Sequence, residues 1–226
     1  GMSELSCCAT INPPDRIKIG TVGTALPGVE LSIADDGELL CRGPLVMRGY
    51  RNDPEKTAEA IDADGWLHTG DVATIDDEGY VRIVDRKKEL IINAAGKNMS
   101  PANIESQLKS ASPLIGQVVA IGDRRPYNVA LIVLDPDACA AYAARAGLDD
   151  ASAAVLCEHE GIVAAVSAAV EEANAGLSRV EQIKTFRILP VDWLPGGDEL
   201  TPTMKLKRKP IAEKYAAEIE ALYAGS

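Results

Sequence analysis

The amino-acid sequence predicts an α+β protein in two parts: a β-rich first part, then a compact part with helices packed on a small, mostly antiparallel sheet. In the first part, short apolar runs alternate with Gly and Pro turn signals over residues 17–41, and a hairpin pattern follows at 72–84. In the second, β-branched runs at 116–121 and 129–134 precede helical periodicity. With 226 residues, 46% of them hydrophobic, the chain can bury a core.

Composition excludes some functions. A formal net charge of −11 argues against nucleic acid as a partner, because phosphate binding needs clustered Lys and Arg. No signal-peptide pattern and no apolar run long enough to span a bilayer occur, so a cytoplasmic location is expected. The five cysteines have no C-x-x-C spacing and the two histidines are far apart, which disfavours a metal cage and fits reduced thiols.

The elements of the first part follow from turn and cap signals. Residues 29–34 and 38–42 flank an Asp-Gly turn as a hairpin, and residues 72–75 and 80–84 form a second hairpin around an acidic turn. A short helix is predicted at 54–61, with Asn52 or Asp53 as its cap. Residues 47–50 are expected to maintain the fold rather than to perform chemistry.

The second part alternates strands and helices. Ser100 and Pro101 are the cap and first residue of a helix, and the two β-branched runs follow as central strands. Helices are predicted at 137–146 and 158–175, the latter with an apolar stripe at helical spacing, and a strand is predicted at 183–189. An amphipathic helix then follows Pro210.

A charged segment, Asp85-Arg86-Lys87-Lys88, follows the second hairpin directly. Alone, such a cluster is more typical of a solvated turn. Here GWLHTGD (65–71) stands before it, and a pattern G-x-x-x-x-P-x-x-I-E (96–105) stands after it. This order of signatures resembles the adenylate-forming superfamily, which contains acyl-CoA synthetases, luciferases and peptide-synthetase adenylation domains.

The resemblance implies a domain plan. Residues 23–33 and 37–61 resemble the small distorted β-barrel that closes the large domain of acyl-CoA synthetases. Residues 1–85 would then be a residual β-rich subdomain of that large domain, and 86–226 a mobile C-terminal lid, with a hinge near 86–88. Family enzymes adenylate a carboxylate and then rotate the lid, and the resemblance places the hinge at Lys88.

The resemblance also implies nucleotide-binding residues. Asp71 would accept hydrogen bonds from the ATP ribose hydroxyls, Arg86 would contact ribose and phosphate, and Ile83 would be an apolar wall. The hairpin is long enough to return Arg86 to the neighbourhood of Asp71. Ser3 and Glu4 match the end of the family's Y-G-x-[ST]-E motif, where the hydroxyl meets the α-phosphate and the carboxylate holds Mg²⁺. The alternative is an ordinary flexible start.

Later residues match the signatures for acyl transfer and for adenylation. Gly96 would line the pantetheine tunnel for coenzyme A, and Lys97 would meet the phosphates of that acceptor. Lys205 takes the place of the catalytic lysine, whose ammonium can bridge the attacking carboxylate and the α-phosphate. Arg208 matches the trailing arginine, and Met204 stands where the family usually has Gly.

The implied activity is that of a long-chain fatty-acid–CoA ligase, which uses ATP, Mg²⁺ and coenzyme A to convert a fatty acid to acyl-AMP and then acyl-CoA. Residues 136–182 resemble the long-chain branch. The family's phosphate loop and acyl pocket do not occur in this sequence. The resemblance therefore implies a C-terminal portion, inactive alone, whose partner is the missing N-terminal domain. A lipid substrate also allows peripheral membrane contact without a transmembrane segment.

Two other functions remain open from the sequence. The chain could belong to a fatty-acyl-AMP ligase, which passes its product to a carrier protein instead of coenzyme A. It could also be a stand-alone, non-catalytic interaction module that binds another protein through the surface that normally faces the large domain.

Overall fold

The computed structural model describes residues 1–224 and divides the chain into two compact units, Gly1–Glu89 and Leu90–Ser226. Both units contain helices and sheets, which confirms the mixed α+β class. Among the described residues, no helix is long and apolar enough to cross a membrane.

The first unit is mainly antiparallel β-structure. After a 3-10 helix, Ser3–Leu5, its elements are β1 (Thr10–Ile11), β2 (Thr24–Ala25), β3 (Glu30–Ile33), β4 (Glu38–Arg42), α1 (Pro54–Ala60), β5 (Leu67–Ile75) and β6 (Val81–Arg86). Strands β3 to β6 form one sheet in sequence order, while β1 and β2 form a separate pair. Both predicted hairpins are confirmed, and Asp53 caps α1 by accepting a hydrogen bond from the Lys56 N–H.

The predicted β-barrel is not found. In the described part of the chain no sheet closes on itself, and the four-stranded sheet has β3 and β6 as its two edges. Closure would require those edges to pair, with a matching tilt and stagger of the strands. The sheet instead buries one apolar cluster, which includes Cys41, Leu67 and Val81.

Two irregularities interrupt the pairing of β5. Between the pairs Glu38↔Val72 and Leu40↔His68, β5 advances four residues while β4 advances two. On the other side of β5, Val84 of β6 is the extra residue between two successive pairs. Bulges of this kind redirect the side chains beside them. The first bulge contains the TGD sequence, and the second lies next to the start of the charged segment.

The second unit is a layered α+β domain. Its elements are β7 (Ile91–Ile92), β8 (Asn98–Met99), α2 (Pro101–Ala111), β9 (Ile115–Ile121), β10 (Asn128–Leu134), α3 (Pro136–Ala146), α4 (Ala153–Leu156), α5 (Glu160–Gly176), β11 (Ile183–Ile188), α6 (Arg208–Lys214) and α7 (Ala216–Ala224). Strand β10 is central, antiparallel to β9 and parallel to β11. One of the two pairings in this sheet is therefore parallel, where a mostly antiparallel sheet was predicted.

Strand β10 is buried along its whole length and serves two cores. Ala130, Ile132 and Leu134 point to the face covered by α2 and α5. Val129, Leu131 and Val133 point to the opposite face, which α6 and α7 cover. Two-sided burial explains why β10 reads as a continuous apolar run.

Two predicted helices differ in extent. The helix predicted at 158–175 begins at Glu160, and His159 caps it, because its Nδ1 accepts a hydrogen bond from the Gly161 N–H. The residues of α4, a separate short helix, precede this cap. The C-terminal helix is divided at Tyr215, whose hydroxyl is held by hydrogen bonds with Trp193 and Glu199.

Candidate active-site residues

Asp71 and Arg86 face each other across the β5–β6 hairpin. They are register partners, and Arg86 Nε lies 2.8 Å from Asp71 Oδ1. Burial raises the pKa of Asp71, and the Arg86 guanidinium lowers it only in part, with Asp85 and Glu38 adding to the rise. The net pKa of Asp71 is therefore raised, since the more solvent-exposed Arg86 does not offset the burial.

The backbone before Asp71 is held by a buried carboxylate. Gly70 has φ +72°, and its N–H donates to Glu38 Oε1 at 2.8 Å. The Thr69 hydroxyl donates to the Leu39 carbonyl at 2.7 Å and accepts from the Asp71 N–H. The TGD sequence therefore forms a β-bulge that is fixed by side-chain hydrogen bonds, and it is not a regular part of the strand.

Glu4 is held by a residue that the sequence assigned to the fold alone. The Tyr50 hydroxyl donates to Glu4 Oε1 at 2.8 Å, and the Met47 N–H donates to the Glu4 carbonyl at the same distance. This hydrogen bond to Glu4, followed by burial, raises the pKa of Tyr50. The 3-10 helix also contains Ser3, which is exposed.

Two cavities of the first unit collect the predicted residues. Glu4, Arg86 and Lys88 line a cavity of about 780 Å³. Asp71 and Ile83 line a smaller one of about 70 Å³. Met2 and Thr69 line both cavities, so the two cavities are adjacent. Asp71, Ile83 and Arg86 are thus brought together, whereas Ser3 lines neither cavity.

Gly96 and Lys97 lie in the turn between β7 and β8. Asn93 Oδ1 accepts from the Ala95 and Lys97 N–H groups at 3.0 and 2.9 Å. Gly96 has φ +78°, a conformation that favours glycine, and beyond its chain neighbours no atom lies within 4 Å of where a Cβ would stand. The turn therefore needs glycine for its backbone, which is a reason separate from access to a tunnel.

Lys205 is exposed at the end of a tight loop closed by Thr201. The Thr201 N–H donates to the Lys205 carbonyl at 2.8 Å, and Thr201 Oγ1 accepts from the Lys205 N–H at 3.0 Å. Met204 has φ +63°, the left-handed region, at the position where the family pattern has Gly. Thr201 thus holds both backbone polar groups of Lys205.

Two ion pairs with buried carboxylates anchor this loop. Arg208 donates from Nη1 and Nη2 to Glu105 Oε1 and Oε2 at 2.6 and 2.8 Å, and the Ala120 N–H also donates to Glu105 Oε1. At the other end, Glu199 accepts from Lys214 Nζ at 2.6 Å and from the Tyr215 hydroxyl at 3.0 Å. Burial raises the pKa of Glu199, but these hydrogen bonds outweigh it and the net pKa is lowered.

Sequence reasoning missed four residues that hold the predicted ones: Glu38, Tyr50, Thr201 and Glu199. Glu38 shares a face of β4 with Leu40 and Arg42, opposite the core residues Leu39 and Cys41, so the strand pattern alone does not indicate that it is buried. The hydrogen bonds of the other three depend on tertiary contacts, which spacing along the chain does not reveal.

Comparison with known families identifies the class of protein to which the chain belongs. The family described as AMP-binding enzyme C-terminal domain matches residues 88–226. The chain belongs to this family, which confirms the resemblance that the motifs indicated.

Curated relatives match almost the whole chain. It is 64% identical over 224 residues to a protein of Mycobacterium tuberculosis H37Rv that bears the name fatty-acid–CoA ligase fadD11, covering 99% of this chain and 39% of that one. It is 47% identical to the long-chain-fatty-acid–CoA ligase FadD15 of the same strain, covering 99% and 37%. The chain therefore spans about two-fifths of the length of these relatives.

A solved structure shares the fold. The ATP-bound RpMatB–BxBclM chimera B1 superimposes with a TM-score of 0.68 at 29% sequence identity, covering 95% of this chain and 40% of that one.

Proposed function

We propose that the chain supplies the nucleotide-binding hairpin and the C-terminal lid of an ATP-dependent ligase, which converts a long-chain fatty acid to acyl-AMP and then to acyl-CoA. The observation that carries the proposal is the Asp71–Arg86 pair, which lies beside Ile83 on one hairpin. The names of the relatives, fatty-acid–CoA ligases, support the substrate class.

The first unit binds the nucleotide. The Asp71 carboxylate accepts from the two ribose hydroxyls, Arg86 donates to ribose and phosphate oxygens, and Ile83 packs against the base. Ser3 donates its hydroxyl to the α-phosphate. Glu4 is a hard oxygen ligand on the larger cavity, so it fits Mg²⁺, which neutralises phosphate charge when bound.

Lys205 is the catalytic residue of the adenylation step. A fatty acid carboxylate oxygen attacks the α-phosphorus, the bond to the bridging oxygen breaks, and pyrophosphate leaves with that electron pair. The Lys205 ammonium stabilises the negative charge shared by the carboxylate and the α-phosphate oxygens. Its side chain is exposed, and only the backbone is fixed by Thr201, so the ammonium can follow the charge.

The second step uses other residues of the lid. We place the boundary between residual subdomain and lid at residues 85 and 86, with Lys88 as the hinge. Rotation there brings the turn of Gly96 and Lys97 to the acyl-adenylate. Coenzyme A thiol passes Gly96, Lys97 donates to its phosphates, and attack on the acyl carbonyl releases AMP. The reaction takes place in the cytoplasm, with peripheral contact to membranes that hold the fatty acid.

The test is fatty-acid-dependent exchange of pyrophosphate into ATP. The chain would be assayed alone and as a chimera in which it replaces the matching part of the fadD11 ligase, to which it is 64% identical. We expect exchange by the chimera and none by the chain alone. A folded chimera without exchange would contradict the proposal, and acyl transfer to a carrier protein but not to coenzyme A would correct its acceptor.

A further inference from the structure

Gly70 of the TGD bulge is hydrogen-bonded to a buried carboxylate through its N–H and to the charged segment through its carbonyl. The Gly70 N–H donates to Glu38 Oε1, and the Gly70 carbonyl accepts from the Lys87 N–H, each at 2.8 Å. Gly70 immediately precedes Asp71, and Lys87 immediately precedes Lys88. One glycine therefore connects the candidate ribose ligand with the candidate hinge.

A buried carboxylate closes this connection into a ring. Glu38 is 4% exposed, and its Oε2 accepts from Lys87 Nζ at 2.9 Å and lies 3.1 Å from His68 Nδ1. Lys87 Nζ also lies 2.6 Å from Asp36 Oδ2. Burial raises the pKa of Glu38, but hydrogen bonds from Lys87, His68 and Gly70 outweigh it, so the net pKa is lowered. The group is therefore a carboxylate at neutral pH.

We propose that Glu38 is a positioning residue: its hydrogen bonds to Gly70 and Lys87, together with the bond between the Lys87 N–H and the Gly70 carbonyl, form a lock that fixes the bulge. The lock orients Asp71, and Lys88 is the first residue beyond it. The inference rests on the proposed function, in which Asp71 binds the nucleotide and the lid turns at Lys88.

The physical reason is that glycine gives the bulge no rigidity of its own. At φ +72° Gly70 occupies one of several conformations open to it, so external bonds must select this one. Glu38 supplies such a bond to the amide, and it fixes Lys87, whose own amide holds the Gly70 carbonyl. If the backbone up to Lys87 is fixed by these hydrogen bonds, the change in φ and ψ during rotation of the lid is confined to Lys88 and the residues after it.

Amide hydrogen exchange on the full chain without substrate tests the lock directly. Glu38→Gln keeps the size of the side chain and removes its charge. We expect exchange at the Gly70 and Lys87 amides to rise by at least about tenfold, while the β3–β4 amides stay protected. Glu30→Gln is the matched control, since Glu30 pairs with Arg42 on the same sheet at an exposed site.

Two results would overturn the lock: unchanged exchange at both amides, or a uniform rise across the first unit, which would show a merely structural role. Lys87→Met is a second variant in case Glu38→Gln does not fold, and it is expected to raise exchange at the same two amides.

Positioning of Asp71 has its own readout in the chimera. Glu38→Gln should raise KM for ATP by about tenfold with a smaller effect on kcat, because nucleotide binding is loosened. An unchanged KM would overturn the positioning role. A wild-type chimera that does not exchange pyrophosphate into ATP would reject the proposed function. The amide hydrogen-exchange result on the full chain does not depend on the proposed function.

Discussion

The two parts of the candidate active site are held in place by different means. Asp71 and Arg86 lie on neighbouring strands, and the backbone beside them is fixed by the buried Glu38 carboxylate. Lys205 lies on an exposed loop, where Thr201 closes the backbone and the ammonium is left in solvent. The backbone beside the proposed nucleotide residues is therefore held by a buried carboxylate, and the backbone of Lys205 is held by a turn.

This difference fits the two tasks. A ribose has fixed hydroxyls, so its ligand gains from a preorganised position. In the proposed reaction the negative charge near Lys205 moves during the displacement, so a mobile ammonium on a fixed backbone suits that role. The comparison predicts that variants near Asp71 alter nucleotide binding. Variants at the ion pairs that anchor the Lys205 loop should alter the stability of the second unit, and replacement of Lys205 itself should alter the rate of adenylation.

The largest expected effect is at the anchor of the lysine loop. Arg208→Ala leaves the buried Glu105 carboxylate without its bidentate partner, and should lower the free energy of unfolding of the second unit by about 3 to 5 kcal/mol. Urea unfolding followed by Trp193 fluorescence, in a Trp66→Phe background, measures this. Lys209→Ala, at a neighbouring exposed lysine, is the control and should change it by less than about 0.5 kcal/mol.

The next effect concerns the ribose. Asp71→Asn removes the charge from the two proposed hydrogen bonds to the ribose, and should weaken ATP binding by the chimera about 10- to 100-fold, as expected for charge-assisted bonds. Isothermal titration calorimetry measures the affinity. Asp77→Asn, on the exposed turn of the same hairpin, should leave the affinity for ATP unchanged. Equal losses of affinity in both variants would show that the net charge of the hairpin, and not a contact with Asp71, determines ATP binding.

A smaller effect is the pH dependence of the lock. Because the pKa of Glu38 is lowered from 4.5 in the folded protein, its contribution to stability is fully present above pH 4.5 and is lost as pH falls through the folded pKa. The stability difference between wild type and Glu38→Gln should therefore shrink on acidification below that value. Chemical unfolding followed by Trp66 fluorescence, in a Trp193→Phe background at several pH values, tests this, and a difference independent of pH would contradict it.

The smallest effect is at Met204. Its φ of +63° is unfavourable for any residue with a Cβ, so Met204→Gly should be more stable than Met204→Ala by about 1 kcal/mol. Both variants lose the same side-chain contacts beyond Cβ, so their difference isolates the backbone contribution. Thermal unfolding of the two variants measures it, and equal stability would show that the loop relaxes.

The sequence predicted what depends on neighbours along the chain. The hairpins followed from turn residues, and the cap at Ser100 followed from its position before proline; for α1 the sequence left Asn52 and Asp53 open, and the cap is Asp53. The return of Arg86 to Asp71 followed from hairpin length. Strand β10 was recognised because two-sided burial gives an uninterrupted apolar run.

What the sequence did not predict depends on distant contacts. Closure of a barrel requires edge pairing that a pattern of strands does not specify, and the sheet is open. The parallel pairing of β11 depends on a crossover through three helices. The ring around Glu38 joins residues from β4, β5 and the end of β6, so its parts are separated by up to 49 positions.

The most direct test of the central claim is the effect of Lys205→Ala on the two half-reactions of the chimera. Adenylation, measured as pyrophosphate exchange, should fall by about 100- to 1,000-fold, as when one donor to a developing charge is removed. Thioester formation from added acyl-adenylate and coenzyme A should be retained. Lys209→Ala is the control for loss of a nearby positive charge. Equal losses in both half-reactions would contradict the assignment of Lys205 to adenylation.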